Sequence, residues 1–390
     1  MAVGRFSPAK EDHRRLFRRT GESVDIPFLL ILMLLLTVGL CMLYSASYAQ
    51  SEYDTGYTVS TRYLQKQGAC AVIGIGAMLL LSRVPPDFWF RMAWPLYGIS
   101  ILLLLCVLIF GQSVNGAQRW INIAGLQFQP SEIAKFTMIL VFARLTKRFG
   151  TAAREFRYGV LGFGSTLMGI LVPLALEKHL SAIMLMGLVA VVMMFVAGAH
   201  PKWLLAGAAA AVVFVIIYIT FMGYAGDRVT AWLHPEEDPG DTGYQILQSL
   251  YAIGSGGVWG LGLGKSKQKY LYLPFQYNDY IFAIICEELG LIGALLIVLL
   301  FALLILRGYW IALRAPDRFQ TVLAAGLITL IAVQTVLNLG VVTNLLPSTG
   351  IALPFFSYGG TALAVNLGEM GILLGISRYR NQPTIQEAIK

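Results

Sequence analysis

The chain returns again and again to runs of about 20 apolar residues, the length that crosses a bilayer's ~30 Å hydrocarbon core as an α-helix. Ten such runs can be placed, at 26–48, 64–82, 92–111, 130–146, 157–177, 180–199, 202–224, 279–306, 320–345 and 357–377. Backbone in hydrocarbon must satisfy its own hydrogen bonds, so repeated spanning runs restrict the fold to a helical bundle. The expected class is all-α: a polytopic integral membrane protein with ten transmembrane helices and one long extracytoplasmic loop. The fourth run is the weakest, because Glu132 and Lys135 interrupt its start. Composition agrees: 13% of the 390 residues are charged, against about 25% in an average soluble chain. The first run is longer than the core of a signal peptide and is expected to stay as a helix.

Ten crossings place both ends on one side. With the N-terminus in the cytoplasm, most of the 29 Lys and Arg residues fall inside, among them Arg14, Arg18, Arg83, Arg144, Arg148, Arg307, Arg314 and Arg378. The positive-inside rule therefore gives cytoplasmic N- and C-termini. The net charge of +8 reads as this topology signal. Nucleic-acid binding is excluded, since it would need one exposed basic domain. The organisation is a basic cytoplasmic segment at 1–25, a membrane domain at 26–377 with its long outer loop at 225–278, and a cytoplasmic tail at 378–390. Cys41, Cys70, Cys106 and Cys286 lie singly in apolar runs, as packing residues.

Charge inside an apolar run is costly, of order 2.5–3.5 kcal/mol at a helix centre, so such residues are candidates for function. They are Glu132, Lys135, Glu177, Lys178, His179, Asp279, Glu287, Glu288 and Glu369. In QPSEIAK, Glu132 and Lys135 share a helical face, either as a structural ion pair or as a pair that lines a site. Pro130 suits a first helical turn, which Ser131 or Gln129 would cap. Asp279 closes the outer loop where the eighth run begins, and two readings stand: an N-cap, or a half-desolvated general base.

The run GSGGVWGLGLGKSKQK puts glycines beside Lys265, Lys267 and Lys269. Exposed amides next to lysines suit a pyrophosphate, and a flexible linker is the alternative. In LPSTGIALPFFSYGG, prolines break the helix while Ser348 and Ser357 offer hydroxyls, so a protein-lined cavity is expected. Arg119, in the outer loop before the fourth run, is suited to grip phosphate oxygens or to sit among lipid headgroups.

Taken together, LYSAS at 43–47, NGAQRWI at 115–121, QPSEIAK at 129–135, GYQILQSLYAIGSGGVWGLGLGKSKQKYLYLP at 243–274, NDYIFAIICEELG at 278–290 and NLLPSTGIALPFFSYGG at 344–360 resemble the SEDS family of FtsW, RodA and SpoVE. The N-terminal pattern leans toward the FtsW–SpoVE branch. The resemblance implies a bacterial cytoplasmic-membrane protein that polymerises lipid II (undecaprenyl-pyrophosphate-linked disaccharide pentapeptide) on the outer face during division or elongation. It also implies a class B penicillin-binding protein and other divisome or elongasome membrane proteins as partners. It makes Asp279 the essential acid and Glu132 and Lys135 required residues. The family's QPDLGT-like motif is absent, and the corresponding stretch reads LEKHLSA.

The expected chemistry is inverting glycosyl transfer without a covalent intermediate. Asp279 is the base. Lys135, Arg119, Lys265 and Lys269 face the pyrophosphate, and a divalent cation (Mg or Mn) is left open. A lipid II flippase and a non-catalytic divisome scaffold are the rival readings. The polar residues gather on the outer half, which favours the enzyme.

Overall fold

The computed structural model describes residues 23–379 apart from 115–116, 124–125, 208, 210–227, 229 and 238–241. The helices are α1 (Ile26–Asp54), α2 (Arg62–Leu81), α3 (Pro86–Phe110), α4 (Pro130–Phe149), α5 (Phe163–Leu176), α6 (Leu180–Val196), α7 (Thr242–Gly256), α8 (Ile281–Leu313), α9 (Arg318–Val342) and α10 (Thr361–Ser377). A π-helical turn, Arg157–Gly162, leads into α5. Among the described residues, six helices are long and apolar enough to cross a membrane, and α6 and α10 are shorter apolar helices. Nine of the ten expected runs fall on helix. The seventh, 202–224, lies outside the described residues beyond its first few, and so do 1–22 and 380–390.

The helices sort into centre and rim. In α9, 78% of the most apolar window is buried, against 28–39% in the other long helices. The rim helices turn large apolar side chains outward, such as Leu30, Leu80, Leu102 and Ile109, as a lipid-facing surface requires. Helix α4 packs against α3 and α9 and is buried along most of its length. That enclosure is how it carries Glu132 and Lys135, the charges that made it look weak as a spanning run.

Charge and capping mark the end of the bundle remote from Asp279. Asp25 caps α1 by accepting from the Phe28 amide at 3.1 Å, and takes both Nε and Nη2 of Arg307 at 2.9 Å. Asp317 caps α9 through the Gln320 amide and meets Lys147 at 2.7 Å. Arg318 donates to the carbonyl of Ala197 at the end of α6.

Two features were not foreseen. A small antiparallel sheet, β1 (Gln112–Val114), β2 (Ala117–Ile123) and β3 (Leu126–Phe128), fills the connection between α3 and α4. Its sequence cue is Asn115-Gly116 between β1 and β2, the dipeptide favoured in two-residue hairpins. The second feature is a break in α8 at Gly290, where φ is 67° and ψ −170°, a conformation open essentially to glycine alone.

The glycine-rich segment after α7 fills that break. The amides of Leu261 and Gly262 donate to the carbonyls of Glu287 and Glu288 at 3.0 Å, and the Leu291 amide donates to Gly257 at 2.9 Å. A Cβ at Gly290 would lie 2.3 Å from the Gly260 nitrogen. Gly290→Ala is therefore expected to cost at least the roughly 1–3 kcal/mol of backbone strain, with steric overlap added, read as a lower unfolding midpoint in nanodiscs.

Candidate active site

The ends of α2, α4, α6, α9 and α10 nearest Asp279 and the loops beside them surround one cavity of about 1100 Å³. Among its lining residues, Arg62, Lys66, Arg119, Lys135 and Arg228 are cationic, while Glu132 and Asp279 are acidic. The wall thus favours an anion. Lys135 and Asn366 lie five residues into α4 and α10, and Gln334 lies eight residues before the end of α9. At 1.5 Å per residue the floor sits roughly 8–12 Å below the helix ends.

Asp279 stands in the wall, in the loop that precedes α8. The N-cap of α8 is Tyr280, with no side-chain cap bond, so the capping reading of Asp279 does not hold. Its carboxylate is enclosed by protein yet keeps part of its surface open to the cavity. Burial pushes its pKa up to about 6, with Arg228 and then Arg119 pulling the other way.

The backbone around Asp279 is braced from three directions. Asn338, buried in α9, donates to the carbonyls of Asp279 at 2.7 Å and Ile351 at 2.8 Å. Ser357 donates to the carbonyl of Asn278 at 2.6 Å and accepts from the Leu353 amide at 2.8 Å. The Tyr358 amide donates to the Tyr277 carbonyl at 2.9 Å. Gly350 approaches from across the site; a Cβ there would sit 3.3 Å from Asp279 Oδ2, and its φ of +68° suits glycine.

Lys135 and Glu132 form a buried ion pair of 2.6 Å at the floor. Gln129 is the N-cap position of α4 but makes no side-chain cap bond, contrary to expectation. Glu369, buried in α10, feels the charges of Lys135 and Glu132. Arg119, on β2, donates to the carbonyl of Lys178 at 2.7 Å. Beside it, burial raises Glu177 to about 8, opposed by the Arg119 charge. Burial also lowers His179 well below the usual histidine range, and Arg119 and Lys135 add to the effect. His179 lines the cavity and Glu177 does not. Ser348 lines it as well: its carbonyl accepts from Arg228 at 2.9 Å, and its hydroxyl lies 3.5 Å from Tyr280 Oη.

The cavity therefore gathers Asp279, Glu132, Lys135, Arg119, Ser348 and Ser357, and leaves Lys265 and Lys269 outside. Lys265 is exposed on the loop. Lys269 is buried, with Nζ 3.0 Å from Glu288 Oε1, 3.2 Å from Ser45 Oγ and 2.6 Å from the Gly264 carbonyl. Glu287 accepts from the Lys267 amide at 2.8 Å and from Ser266 Oγ. The expected pyrophosphate cradle is thus a packing device, because its amides and its buried lysine are already engaged within the protein.

The sequence reading missed Arg228, Gln334 and Asn366, which line the cavity, and Gln67 and Asn338, which brace its walls from behind. The four amides sit in apolar runs, where a search for polar rather than charged residues would have found them. Gln67 accepts at Oε1 from the amides of Gly359 and Gly360 at 3.2 and 3.0 Å, tying α2 to the start of α10.

Among the described residues no three His, Cys, Asp or Glu side chains form a metal-ligating group. The cavity's two carboxylates, one already paired with lysine, stand against five cationic side chains. This donor set does not fit a resident divalent cation.

The same scaffold is found in known proteins. The Cell cycle protein family model, FtsW/RodA/SpoVE, matches residues 26–382. The probable peptidoglycan glycosyltransferase FtsW of Geobacter sulfurreducens is 40% identical over 367 residues, 93% of this chain and 97% of that one. Stage V sporulation protein E of Bacillus subtilis is 40% identical over 362 residues, 92% and 98% of the two chains. Among solved structures, RodA of Thermus thermophilus is 27% identical with a TM-score of 0.69, covering 92% of this chain and 98% of that one. A chain from work described as "Structural coordination of polymerization and crosslinking by a peptidoglycan synthase complex" is 28% identical with a TM-score of 0.77, covering 92% and 99%. A match over nearly the whole length, on a helical bundle with the same architecture, means that this chain belongs to the FtsW/RodA/SpoVE family of cell cycle proteins.

Proposed function

We propose that the chain is a peptidoglycan glycosyltransferase that polymerises lipid II at the outer face of the bacterial cytoplasmic membrane, with Asp279 as general base. The observation that carries this reading is one carboxylate, raised toward neutrality and open to a cavity whose other charges are mostly cationic. Asp279 takes the proton from a sugar hydroxyl of the acceptor, and that oxygen attacks C1 of the donor sugar from the side opposite its pyrophosphate. The C1–oxygen bond to pyrophosphate breaks, the anomeric centre inverts, and the lipid pyrophosphate leaves with the bonding pair. Lys135, Arg119, Arg228, Arg62 and Lys66 supply the field that stabilises the charge as it develops.

The clustering of Arg144, Lys147, Arg307 and Arg318 at the end remote from Asp279 supports cytoplasmic termini and an outward-facing cavity. A class B penicillin-binding protein is the proposed partner, supported by the similar chain described in a peptidoglycan synthase complex that coordinates polymerization and crosslinking. The flippase reading gains no support from a cavity whose polar groups lie at one end of the bundle.

The test is polymerisation of purified lipid II by the chain with its partner, followed as glycan on a gel. Lipid movement without glycan overturns the enzyme reading. Because burial raises the pKa of Asp279 and the base acts ionised, the rate should climb as pH rises through about 6 and level off above it. A profile flat from pH 5 to 8 would remove Asp279 as the base.

A further inference from the structure

One group of cavity residues has no part in the chemistry above. Tyr63 in the first turn of α2, Tyr277 in the loop before Asp279 and Tyr358 before α10 all line the cavity. They come from three distant parts of the chain and meet as a cluster. The ring centroids of Tyr63 lie 4.5 Å from Tyr277 and 5.0 Å from Tyr358, and those of Tyr277 and Tyr358 lie 5.9 Å apart. All three are half-buried.

The cluster is also held at its polar ends. Tyr63 donates its hydroxyl to the carboxylate of Asp54, the last residue of α1, and its oxygen lies 3.4 Å from Tyr277 Oη. The Tyr358 amide fixes the Tyr277 backbone. An aromatic group whose only task was to fill a core would be shut away from water. These rings are instead partly exposed on the wall of a cavity lined by both polar and apolar groups. A tethered aromatic surface beside water matches the apolar C–H face of a pyranose, which stacks on a ring while its hydroxyls stay hydrated.

The position fixes which sugar. Tyr277 precedes Asp279 by two residues, so at most ~7 Å of chain separates them. That is about the span of one sugar ring and its glycosidic oxygen. Resting on the glycosyltransferase reading above, we propose that Tyr63, Tyr277 and Tyr358 form a carbohydrate platform that holds the growing glycan one sugar away from the reacting bond. A strand gripped there stays in the site between couplings, so the platform sets how many sugars are added before release. Arg62 and Lys66, beside Tyr63 on α2, also face the cavity.

The test compares strand length with the rate of the first coupling, using purified lipid II and the chain in complex with its partner. Tyr277→Leu and Tyr358→Leu keep bulk but lose the aromatic face. They are expected to shorten strands about fivefold or more, while the first coupling, read as tetrasaccharide from two disaccharides, falls by much less. Tyr277→Phe and Tyr358→Phe keep the face and should give longer strands than the Leu variants. Leu variants that make parental-length strands, or that lose first coupling as steeply as length, overturn the platform. Failure of the parent chain to make any glycan overturns the enzyme reading itself.

Discussion

Asp279→Asn is expected to insert and fold normally yet polymerise lipid II at least ~100-fold more slowly than the parent, within the ~10²–10⁴ range typical of general-base catalysis. The substitution keeps size and shape while removing the ability to take a proton. The loop should not move, because Asn338 bonds the backbone carbonyl of residue 279 and leaves its side chain to the cavity. Stability supplies an internal control. Burial raises the pKa of Asp279 from 3.8 to about 6, so ionisation opposes folding. That penalty is present in full above about 6 and vanishes as pH falls below the unfolded value. The Asn variant should therefore unfold at the same temperature as the parent or higher at pH 7–8, in nanodiscs. An active Asn variant would end the role assigned to this carboxylate. An inactive variant with a lowered midpoint would point to folding instead.

The second large effect is expected far from the chemistry. Lys269→Ala should destabilise the bundle by about 3–5 kcal/mol, the usual result of stranding one partner of a buried ion pair. Lys269 and Glu288 are both almost wholly enclosed and meet at 3.0 Å. Ser45 of α1 donates to Glu288 at 2.7 Å, and the Ser266 amide reaches it at 3.3 Å. These contacts pin the loop after α7 to both α8 and α1. Without the lysine, two neutral donors remain to hold a carboxylate away from water. Pairing Lys269→Met with Glu288→Leu removes both charges and should recover most of the loss. The readout is the unfolding midpoint of each variant and of the double variant. Equal midpoints for Lys269→Ala and the parent would show that the pair contributes nothing.

The spanning helices were legible because a bilayer demands about 20 apolar residues per crossing, and that demand leaves a strong one-dimensional record. The record also made α4 look doubtful. Hydropathy cannot show that Glu132 and Lys135 face each other inside a ring of other helices. Asp279, Arg119, Ser348 and Ser357 could be singled out as charged or helix-breaking residues at the ends of apolar runs, and the structure brings them to one cavity.

The glycine run shows where local reading stops. Its amides and lysines suit a phosphate taken alone, but the deciding fact is a break 30 residues later at Gly290, where they are needed. The same limit hid Asn338 and Gln67. A neutral amide in an apolar run costs little enough to pass unnoticed, and its importance lies in which carbonyl or amide it meets across the bundle.

The walls around Asp279 are supplied by pieces from Arg62 to Asn366, seated at the tips of several rods and on the loops between them. A product that stops after α6 would insert well and carry the Glu132–Lys135 pair, yet lack the base and the Gln334 and Asn366 side of the floor. Splitting the gene between α6 and α8 should therefore yield two inert halves, and turnover would return only when both are made together and dock edge to edge in one bilayer.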